Sequence, residues 1–390
     1  MSNLTITCHC GRNSFSLPVT LPLDSKYKNV HVCLCSDCRY QNGTFAGTFI
    51  PSPSAPFDPE STPETLTRYK SSAKACRYFC STCSSQLFFR YETPELTKDE
   101  DQGFFLATGC LELPPGEKLG IDTIGYVKDA LDGGLASWTP GKNITTTFDD
   151  PLTDEDIHAL EATAMSQYTD TEKLEGACHC GRIKLRVSRQ TGKPEELPPH
   201  TFSDNTDAVI PCWTPREDQP PIDEKNPWWI RDAQDPGKGK RFLGGLCTCK
   251  SCRTIAGAEV QGWVFIPIVC IEVILPNGEA VPWPTKEQLQ RESKYKDLIS
   301  TYKSTPGDPG VLRGFCGGCG ANVFWDGLTR RNFVDISAGL FTHRGLREEG
   351  WIEWWTGRVS YVEESLERND LGVLLEQGLK EWKKRLGGTV

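Results

Sequence analysis

The stretch CHCGR at residues 8–12 recurs unchanged at residues 178–182. Two further cysteine motifs each occur twice, in the same order along the chain. They are CLCSDCR at 33–39 with CTCKSCR at 247–253, and FCSTC at 79–83 with FCGGC at 315–319. Three ordered motifs are not expected to recur by chance, so the sequence predicts an internal duplication.

The duplication predicts two domains. We expect one at residues 1–147, named here the first copy, and the other at residues 175–390, named the second copy. Residues 148–174 are expected to form a short linker with a helical centre. Thr153 or Asp154 would begin that helix, because both residue types cap helices. Short runs of Val, Ile, Phe, Tyr and Thr between Gly and Pro residues predict a mainly β fold.

The second copy is longer than the first because it carries two inserts. They lie at about residues 197–240 and 276–305. The first insert is rich in Pro, Asp and Trp, which predicts a long loop packed by its tryptophans. These tryptophans are Trp213, Trp228 and Trp229. Residues 365–386 predict an amphipathic helix at the C-terminus.

The bulk composition restricts the class of protein. The 390 residues carry a formal net charge of −9, and 24% of them are charged. An acidic balance argues against a general nucleic-acid binder, which presents a basic face. The chain has no run of about 18 apolar residues, the length typical of a membrane-spanning helix. The N-terminal residues lack the pattern of a secretory signal, so we expect a cytoplasmic protein.

Cysteine is the unusual feature of the composition, with 18 residues. Most of them cluster as CxC and CxxC pairs rather than standing apart. In a reducing compartment, such clusters indicate metal binding more than a disulfide framework. Disulfides or free core cysteines are the alternative.

The first and third motifs together supply four thiolates in each copy. On a strand, residues i and i+2 point to one face, so a CxC pair can offer both thiolates to one metal. A CxxC pair in a tight turn does the same. Zinc prefers four tetrahedral ligands, and structural sites close all four positions with protein groups. The expected closed sites are Cys8, Cys10, Cys80 and Cys83 in the first copy, and Cys178, Cys180, Cys316 and Cys319 in the second.

The middle motif leaves three cysteines in each copy. They are Cys33, Cys35 and Cys38 in the first copy, and Cys247, Cys249 and Cys252 in the second. Three protein ligands with one vacant position are typical of a reactive zinc. Thiolate ligands suit the binding of an incoming thiol as its nucleophilic thiolate. The alternative is a second structural zinc, or a site that has lost its metal.

Several neighbours of these motifs have two possible roles. His31 lies two residues before Cys33 and would close the first triplet as a fourth ligand, or it is an ordinary surface histidine. Arg39 and Arg253 follow the triplets and either recognise a substrate carboxylate or serve a structural role. His9 and His179 stand between paired cysteines, and we expect both to be structural.

The remaining cysteines and a late tryptophan group are expected to pack in the interior. The cysteines are Cys76, Cys110, Cys212 and Cys270, and the tryptophans are Trp351, Trp354 and Trp355. None of these cysteines has a counterpart in register in the other copy, and a lone cysteine behaves as a small buried residue. The tryptophans indicate a core or a contact between the copies, with a substrate wall as the alternative.

The three motifs together resemble the glutathione-dependent formaldehyde-activating enzyme family, which includes centromere protein V. The matching residues are CHCGR, CxCxxCR with the following glycine, and FCxxC, present twice. The resemblance implies a zinc-stapled β structure called a β-tent in each copy. It also implies a closed zinc at the first and third motifs and a substrate-facing zinc at the middle motif.

The resemblance further implies a carbon–sulfur lyase that acts on S-hydroxymethylglutathione, or that condenses glutathione with formaldehyde. Glutathione or a related thiol adduct is then the expected partner, and about four zinc ions per chain are expected from the ligand sets. A non-catalytic zinc-binding thiol carrier or interaction module is the alternative function.

Overall fold

The computed structural model describes residues 2–99, 101–147, 150–166, 173–189, 192–198, 227, 229–231, 239–304, 310–327, 332–341 and 344–387. Strands predominate over helices in these residues, so the prediction of a mainly β protein is confirmed. No helix in the described residues is both long and apolar enough to cross a membrane.

The first copy contains eleven strands and one α-helix within its described residues. The strands are β1 (Ser2–Thr7), β2 (Ser14–Val19), β3 (Asn29–Cys33), β4 (Gly47–Pro51), β5 (Leu66–Ser72), β6 (Ala75–Cys80), β7 (Gln86–Tyr91), β8 (Phe104–Ala107), β9 (Leu111–Glu112), β10 (Gly120–Gly125) and β11 (Asn143–Ile144). The helix is α1 (Ser36–Asn42). A small sheet has the order β2-β1-β9, and a large one the order β11-β10-β3-β4-β8-β7-β6-β5.

The linker contributes α2 (Asp154–Ser166), and the strands of the second copy follow. These strands are β12 (Leu174–Ala177), β13 (Lys184–Val187), β14 (Ile230–Arg231), β15 (Arg241–Cys247), β16 (Gln261–Pro267), β17 (Ile271–Ile274), β18 (Ala280–Pro282), β19 (Ile299–Lys303), β20 (Val311–Cys316), β21 (Asn322–Gly327), β22 (Phe333–Ser337) and β23 (Ile352–Trp354). The helices are α3 (Lys250–Ala256), α4 (Lys286–Arg291), α5 (Ser293–Lys296), α6 (Val362–Leu366) and α7 (Leu371–Arg385).

The large sheet of the second copy repeats the plan of the first, whereas the small sheets differ, because β9 pairs with β1 but β17 pairs with β13. A small sheet has the order β12-β13-β17-β18, and a large one the order β14-β15-β16-β22-β21-β20-β19, with β23 beside β15. Among the described residues, no sheet contains strands of both copies. The strand pairs β6–β7 and β20–β21 match each other and carry the FCxxC motif at their turn. Strand β6 is buried along its whole length, whereas the outer strand β5 alternates between half-buried and exposed residues after the buried Leu66, as an edge strand with one face toward the protein does.

Of the two expected capping residues, Thr153 caps the linker helix and Asp154 is its first residue. The backbone N–H of Asp156 donates to the Thr153 hydroxyl over 3.2 Å, and the Asp156 carboxylate accepts from the Thr153 N–H. This reciprocal pair satisfies two free backbone groups at the helix start. Further along α2, Glu161 forms ion pairs with Arg347 and Arg385 of the second copy. The linker helix is therefore fixed to the second copy.

The amphipathic helix expected at about 365–386 is present as α7, but it begins later than expected, at Leu371, and the short helix α6 precedes it. Residues 367–370 separate them. The side chain of Asn369 accepts from the N–H of Leu371 and donates to Glu259 over 2.8 Å. Asparagine competes with helical hydrogen bonds in this way. The break therefore turns Asn369 inward onto Glu259, which a continuous helix would not do.

The structure describes little of the first insert and most of the second. Most of the first insert, including Cys212, Trp213 and Trp228, lies outside the described residues. Trp229 is described and is buried, as expected for a packing residue. The second insert contains β18, α4, α5 and β19.

The two copies pack closely against each other through equivalent residues. Gly43 ends α1 in the left-handed conformation, and a Cβ atom there would lie 2.1 Å from the Asn322 carbonyl oxygen. Gly257 ends α3 in the same way, and its Cβ would lie 2.3 Å from the Gln86 carbonyl oxygen. Glycine has no Cβ atom, so it adopts the left-handed conformation easily and allows the other copy's backbone to approach closely. In each copy the end of one helix thus contacts the first residue of the strand that follows the other copy's third motif.

Aromatic packing continues the core from one copy into the other. The ring of Phe45 in the first copy lies 5.0 Å from Trp354 in the second. Trp138 packs edge-on against both Trp354 and Trp382 at 5.6 Å. Such edge-to-face pairs contribute about 0.5–1.5 kcal/mol each beyond the area they bury. The expectation that the late tryptophans serve core or intercopy packing is confirmed for Trp351 and Trp354, which are fully buried.

Candidate functional site

Four groups of cysteines stand close enough to hold metal ions. Within each group the sulfur atoms all lie within 4.8 Å of one another. The groups are Cys8, Cys10, Cys80 and Cys83; Cys178, Cys180, Cys316 and Cys319; Cys33, Cys35 and Cys38; and Cys247, Cys249 and Cys252. The structure therefore brings together all fourteen cysteines expected as metal ligands, in the predicted partition.

In the four-cysteine groups, hereafter the closed clusters, the thiols come from two tight turns. Cys8 and Cys10 lie in the turn after β1, where the N–H of Gly11 donates to the Cys8 carbonyl. The expectation that this CxC pair lies on one face of a strand is wrong, because the strand ends at Thr7. The turn serves the same purpose, since it brings the two sulfurs to within 3.5 Å of each other. Asn13 donates its N–H to the Cys8 sulfur over 3.2 Å.

The sulfur separations in the closed clusters fit a tetrahedral metal. They are 3.5 Å for Cys8–Cys10, 3.7 Å for Cys10–Cys80, 3.5 Å for Cys178–Cys180 and 3.6 Å for Cys178–Cys316. A zinc ion with Zn–S bonds of about 2.3 Å requires sulfurs roughly 3.8 Å apart. A disulfide would require about 2.05 Å. The donor set and its spacing therefore suit a metal such as zinc.

The three-cysteine groups, hereafter the open triplets, wrap around the junction between a strand and a helix. Cys33 is the last residue of β3, Cys35 caps α1, and Cys38 lies in the first turn of that helix. The N–H of Cys38 donates to the Cys35 sulfur over 3.4 Å. The strand geometry expected for this CxC pair is thus also wrong, because the chain leaves the strand at Cys33.

The second triplet has the same geometry as the first. Cys247 ends β15, Cys249 caps α3, and the N–H of Cys252 donates to the Cys249 sulfur over 3.4 Å. The first and third thiols of both triplets are buried, and the capping thiol is half-buried. Any small molecule that reaches the sulfurs thus approaches from the side of the capping cysteine.

No fourth side chain from a described His, Cys, Asp or Glu joins either triplet. His31 lies on β3 with its side chain exposed, and its ring stands 6.2 Å from that of Phe105. It is not grouped with Cys33, Cys35 and Cys38. The alternative in which His31 closes the first site is therefore not favoured by the geometry.

A buried arginine beside each triplet was missed from the sequence. Arg77 on β6 donates to the Cys38 sulfur over 3.1 Å and lies over the Phe89 ring. Hydrogen bonds from Cys33 and Cys35, together with the charge of Arg77, hold the pKa of the Cys38 thiol well below its usual value. A signal was available, because an arginine stands three residues before the first cysteine of both FCxxC motifs.

The equivalent arginine of the second copy is Arg313 on β20. Hydrogen bonds from Cys247 and Cys249, and then the charge of Arg313, lower the pKa of the Cys252 thiol well below its usual value. Each triplet thus contains one sulfur whose pKa is lowered and two thiols that donate hydrogen bonds to it. This arrangement suits a group of sulfurs that releases protons when a cation binds.

A tyrosine in a rare backbone conformation packs against each triplet. Tyr126 has φ of 60° and follows Gly125, which pairs with Cys33 across β10 and β3. Tyr361 has φ of 57° and follows Ser360, which bridges to Cys247. A bulky residue rarely adopts positive φ, and such outliers concentrate at functional sites. Burial, and then the charges of the triplet thiols, raise the pKa of Tyr126.

The apolar walls of the two triplets differ. The first is packed by Phe49, Phe89 and Phe105, whereas the second is packed by Trp263 and Trp325. Trp263 stands where the first copy has Phe49, because each lies two residues after the residue that pairs with the first cysteine of its triplet. The two sites therefore present different shapes around the same three sulfurs.

Arg39 and Arg253 are buried in the contact between the copies. Arg39 donates to the carbonyls of Phe341 and Gly345, and Arg253 donates to the carbonyl of Gly109. All of these carbonyls belong to the other copy. The contacts favour the structural role, and recognition of a substrate carboxylate by either arginine stays a prediction.

The remaining expectations concern cysteines and histidines outside the ligand sets. Cys76, Cys110 and Cys270 are buried, as expected, and Cys212 lies outside the described residues. His9 and His179 both bond to tyrosines of the other copy, at 3.1 Å and 2.7 Å. Their expected structural role therefore extends across the contact between the copies.

Comparison with family models gives a match to the first part of the chain. Residues 3–123 match the model described as glutathione-dependent formaldehyde-activating enzyme. This part of the chain is similar to that family, as the motifs predict. The matched stretch includes the closed cluster and the open triplet of the first copy, so the formaldehyde-activating enzyme family is the one whose pattern these cysteines follow. Comparison with curated proteins gives no match.

Proposed function

We propose that the chain is a zinc-dependent carbon–sulfur lyase that acts on a glutathione–aldehyde adduct of the S-hydroxymethylglutathione type. The observation that carries the proposal is the pair of open triplets, each with three converging thiols and a buried arginine, and with no fourth ligand among the described residues. Residues 3–123 resemble a family that is described as enzymatic and that handles formaldehyde with glutathione.

We propose that the two halves of the chain are tandem domains of one kind, at 1–147 and 175–390, with 148–174 as the linker. The matching large sheets, the identical caps of α1 and α3 and the paired glycines at their ends support this division. Four zinc ions per chain would follow, two in the closed clusters and two in the open triplets. A reducing compartment such as the cytoplasm would keep all of these thiols available.

The closed clusters would hold the fold together. Each joins the turn after the first strand of a copy to the turn at its third motif, positions far apart in the chain. When bound there, a metal replaces a disulfide as the cross-link, and its binding free energy becomes folding free energy. Loss of one ligand at such a site should unfold a domain, rather than abolish activity in a folded chain.

The open triplets would carry the reaction. Zinc held by three thiolates supplies one free coordination position to which the sulfur of the adduct can bind. Cleavage of S-hydroxymethylglutathione breaks the carbon–sulfur bond and leaves its electron pair on sulfur. The hydroxyl proton passes to water as the carbonyl of formaldehyde forms.

The chain's own residues fit the charges of this reaction. Three thiolates and a departing thiolate concentrate negative charge, and the buried guanidinium of Arg77 partly neutralises it. Tyr126 packs against the same triplet and offers a phenol beside the sulfurs. We assign it as the donor of a hydrogen bond to the oxygen of the adduct, a role that Tyr361 would fill in the second copy.

A turnover assay combined with metal analysis tests this proposal. Cys35→Ser and Cys249→Ser together should abolish formaldehyde release from S-hydroxymethylglutathione and leave the two closed clusters loaded. Cys10→Ser should instead unfold the first copy, which separates a structural ligand from a catalytic one. A wild-type chain that carries metal only in the closed clusters would refute the catalytic assignment and favour a non-catalytic thiol carrier or interaction module.

A further inference from the structure

The imidazole of His179 connects a closed cluster of the second copy to the open triplet of the first. His179 stands between Cys178 and Cys180, which are ligands of the closed cluster. Its Nε2 atom lies 3.0 Å from the Oδ1 atom of Asp37, a residue between Cys35 and Cys38 of the first triplet. The side chains of His179 and Asp37 thus link the two cysteine segments directly.

The other ring nitrogen of His179 leads to the same triplet by a second route. Nδ1 lies 2.7 Å from the hydroxyl of Tyr69 on β5. Tyr69 pairs directly across the sheet with Arg77, the residue that donates to the Cys38 sulfur. Directly opposed residues on neighbouring strands share one face of the sheet and lie in contact range. Both nitrogens of the ring are therefore held by the surroundings of the first triplet.

The same arrangement occurs in the opposite direction. His9 stands between Cys8 and Cys10, and its Nδ1 lies 3.1 Å from the hydroxyl of Tyr302 on β19. Its Nε2 lies 3.3 Å from the hydroxyl of Ser251, between Cys249 and Cys252. Tyr302 pairs with Arg313, as Tyr69 pairs with Arg77. A chance contact would not recur at equivalent residues in both directions.

We infer that each open triplet is positioned by the closed-cluster turn of the other copy, through His179 for the first triplet and His9 for the second. The inference rests on the part of the proposed function that treats the triplets as metal sites. Each turn is rigid when a metal fixes its cysteines. The histidine in that turn then holds the CxxC segment of the other copy's triplet in a fixed position. His9 and His179 are thus positioning residues, because they act on the ligands through other side chains.

The contacts at the far ends of α1 and α3 complete this arrangement. The C-terminal glycine of each helix touches the other copy, so a helix that carries two triplet cysteines is held at both ends. Hydrogen bonds that orient metal ligands from outside typically change metal affinity by about 10–100-fold. Neither triplet would keep its geometry in a chain that lacked the other copy.

The test uses the full-length chain loaded with cobalt(II), whose thiolate absorption reports each kind of site. A first-triplet chain carries Cys249→Ser, and a second-triplet chain carries Cys35→Ser, so that only one triplet is complete in each. His179→Ala should lower cobalt retention against a chelator by on the order of ten-fold at the triplet of the first-triplet chain. In the second-triplet chain, the same change should alter triplet retention by less than about two-fold. His9→Ala should give the reverse pattern.

Two further variants keep the test decisive if an alanine disturbs the closed cluster next to it. Tyr69→Phe removes a bond to His179 from a strand outside both metal groups, and it should also weaken only the first triplet. His179→Gln keeps a donor within reach of Asp37 and should restore part of the retention. Equal loss at both triplets, or loss confined to the closed cluster of the second copy, would overturn the inference. Failure of turnover in a chain that shows this crossed pattern would count against the proposed function alone.

Discussion

A guanidinium nitrogen of Arg77 lies 3.1 Å from the sulfur of Cys38, and both side chains are almost entirely buried. A cation and a thiolate held together away from water form a strong charge-assisted contact. Arg77 is not a fourth ligand of the first triplet, because a guanidinium does not bind metal ions. It offsets part of the negative charge that three thiolates bring to one place.

Replacing Arg77 should therefore impair the first triplet more than the fold. In the Cys249→Ser chain, Arg77→Met is expected to lower the catalytic efficiency for S-hydroxymethylglutathione by about 10–100-fold, the usual effect of losing a group that supports metal ligands. Arg68→Met is the matched control, since Arg68 is on the neighbouring strand, is partly exposed and pairs with Glu92. An equal loss in both variants would show that the effect comes from the strands rather than from the charge at Cys38.

Tyr126 should contribute to the reaction through its hydroxyl group. In the same single-triplet chain, Tyr126→Phe keeps the ring that packs on the triplet and removes only the phenol oxygen. A positioned donor of this kind is worth about 100-fold in rate. We expect a fall in kcat of that order with cobalt binding unchanged, measured by steady-state kinetics and absorption. A variant with normal kcat would remove Tyr126 from the chemistry and leave its backbone strain without a functional account.

The contact between the copies should be sensitive to a single methyl group. Gly43→Ala would place a Cβ atom 2.1 Å from the Asn322 carbonyl oxygen, in addition to the strain of φ at +71°. Gly141→Ala is the matched control, because its φ is +74° and a Cβ there would meet nothing within 4 Å. The strain alone costs about 1 kcal/mol. Gly43→Ala should lower the free energy of unfolding by at least about 2 kcal/mol more than the control, as measured by urea denaturation; equal losses would mean that the copies are free to separate.

Sequence reasoning was most successful where chemistry fixes the residue type. Metal ligation demands particular side chains at short spacings, so the partition into closed clusters and open triplets was visible in the motifs. The contact between the copies was not visible, because Gly43, His9 and Arg39 have local patterns that fit an isolated domain equally well. Only the folded chain shows that each of them touches the other copy.

The local geometry of the CxC pairs also could not be predicted from the sequence. A strand and a tight turn can both direct two thiols to one metal, and the choice depends on where the sheet ends. Tyr126 and Tyr361 escaped detection for a related reason, since the motifs around them share only a Tyr-Val pair. Their equivalence comes from the backbone, in which both follow a residue paired with the first cysteine of a triplet.

A buried carboxylate at the contact between the copies should make stability depend on pH. Burial alone would raise the pKa of Glu259, but the charges of Arg368 and Arg253 outweigh it and lower the pKa from 4.5 to about 2. A carboxyl whose pKa is lower in the folded state stabilises the fold above its unfolded pKa and loses this contribution as pH falls toward the folded value. The window for Glu259 therefore runs from about pH 4.5 down to about pH 2.

Glu259→Gln should cost about 3–5 kcal/mol at neutral pH, because it leaves the guanidinium of Arg368 without its buried partner. Urea denaturation of both proteins should show this difference shrinking as pH is lowered below about 4.5. A difference that stays constant, or grows, through that window would contradict the assignment of Glu259 as ionised in the folded protein.

The central claim is that a metal held by an open triplet keeps one coordination position free for an incoming thiol adduct. The most direct measurement is the thiolate absorption of the cobalt(II)-loaded chain during titration with glutathione, with and without formaldehyde. We predict a saturable spectral change in the wild-type chain that disappears in the Cys35→Ser, Cys249→Ser double variant, while the absorption of the closed clusters persists. A wild-type spectrum that glutathione leaves unchanged, with both triplets loaded, would contradict the account.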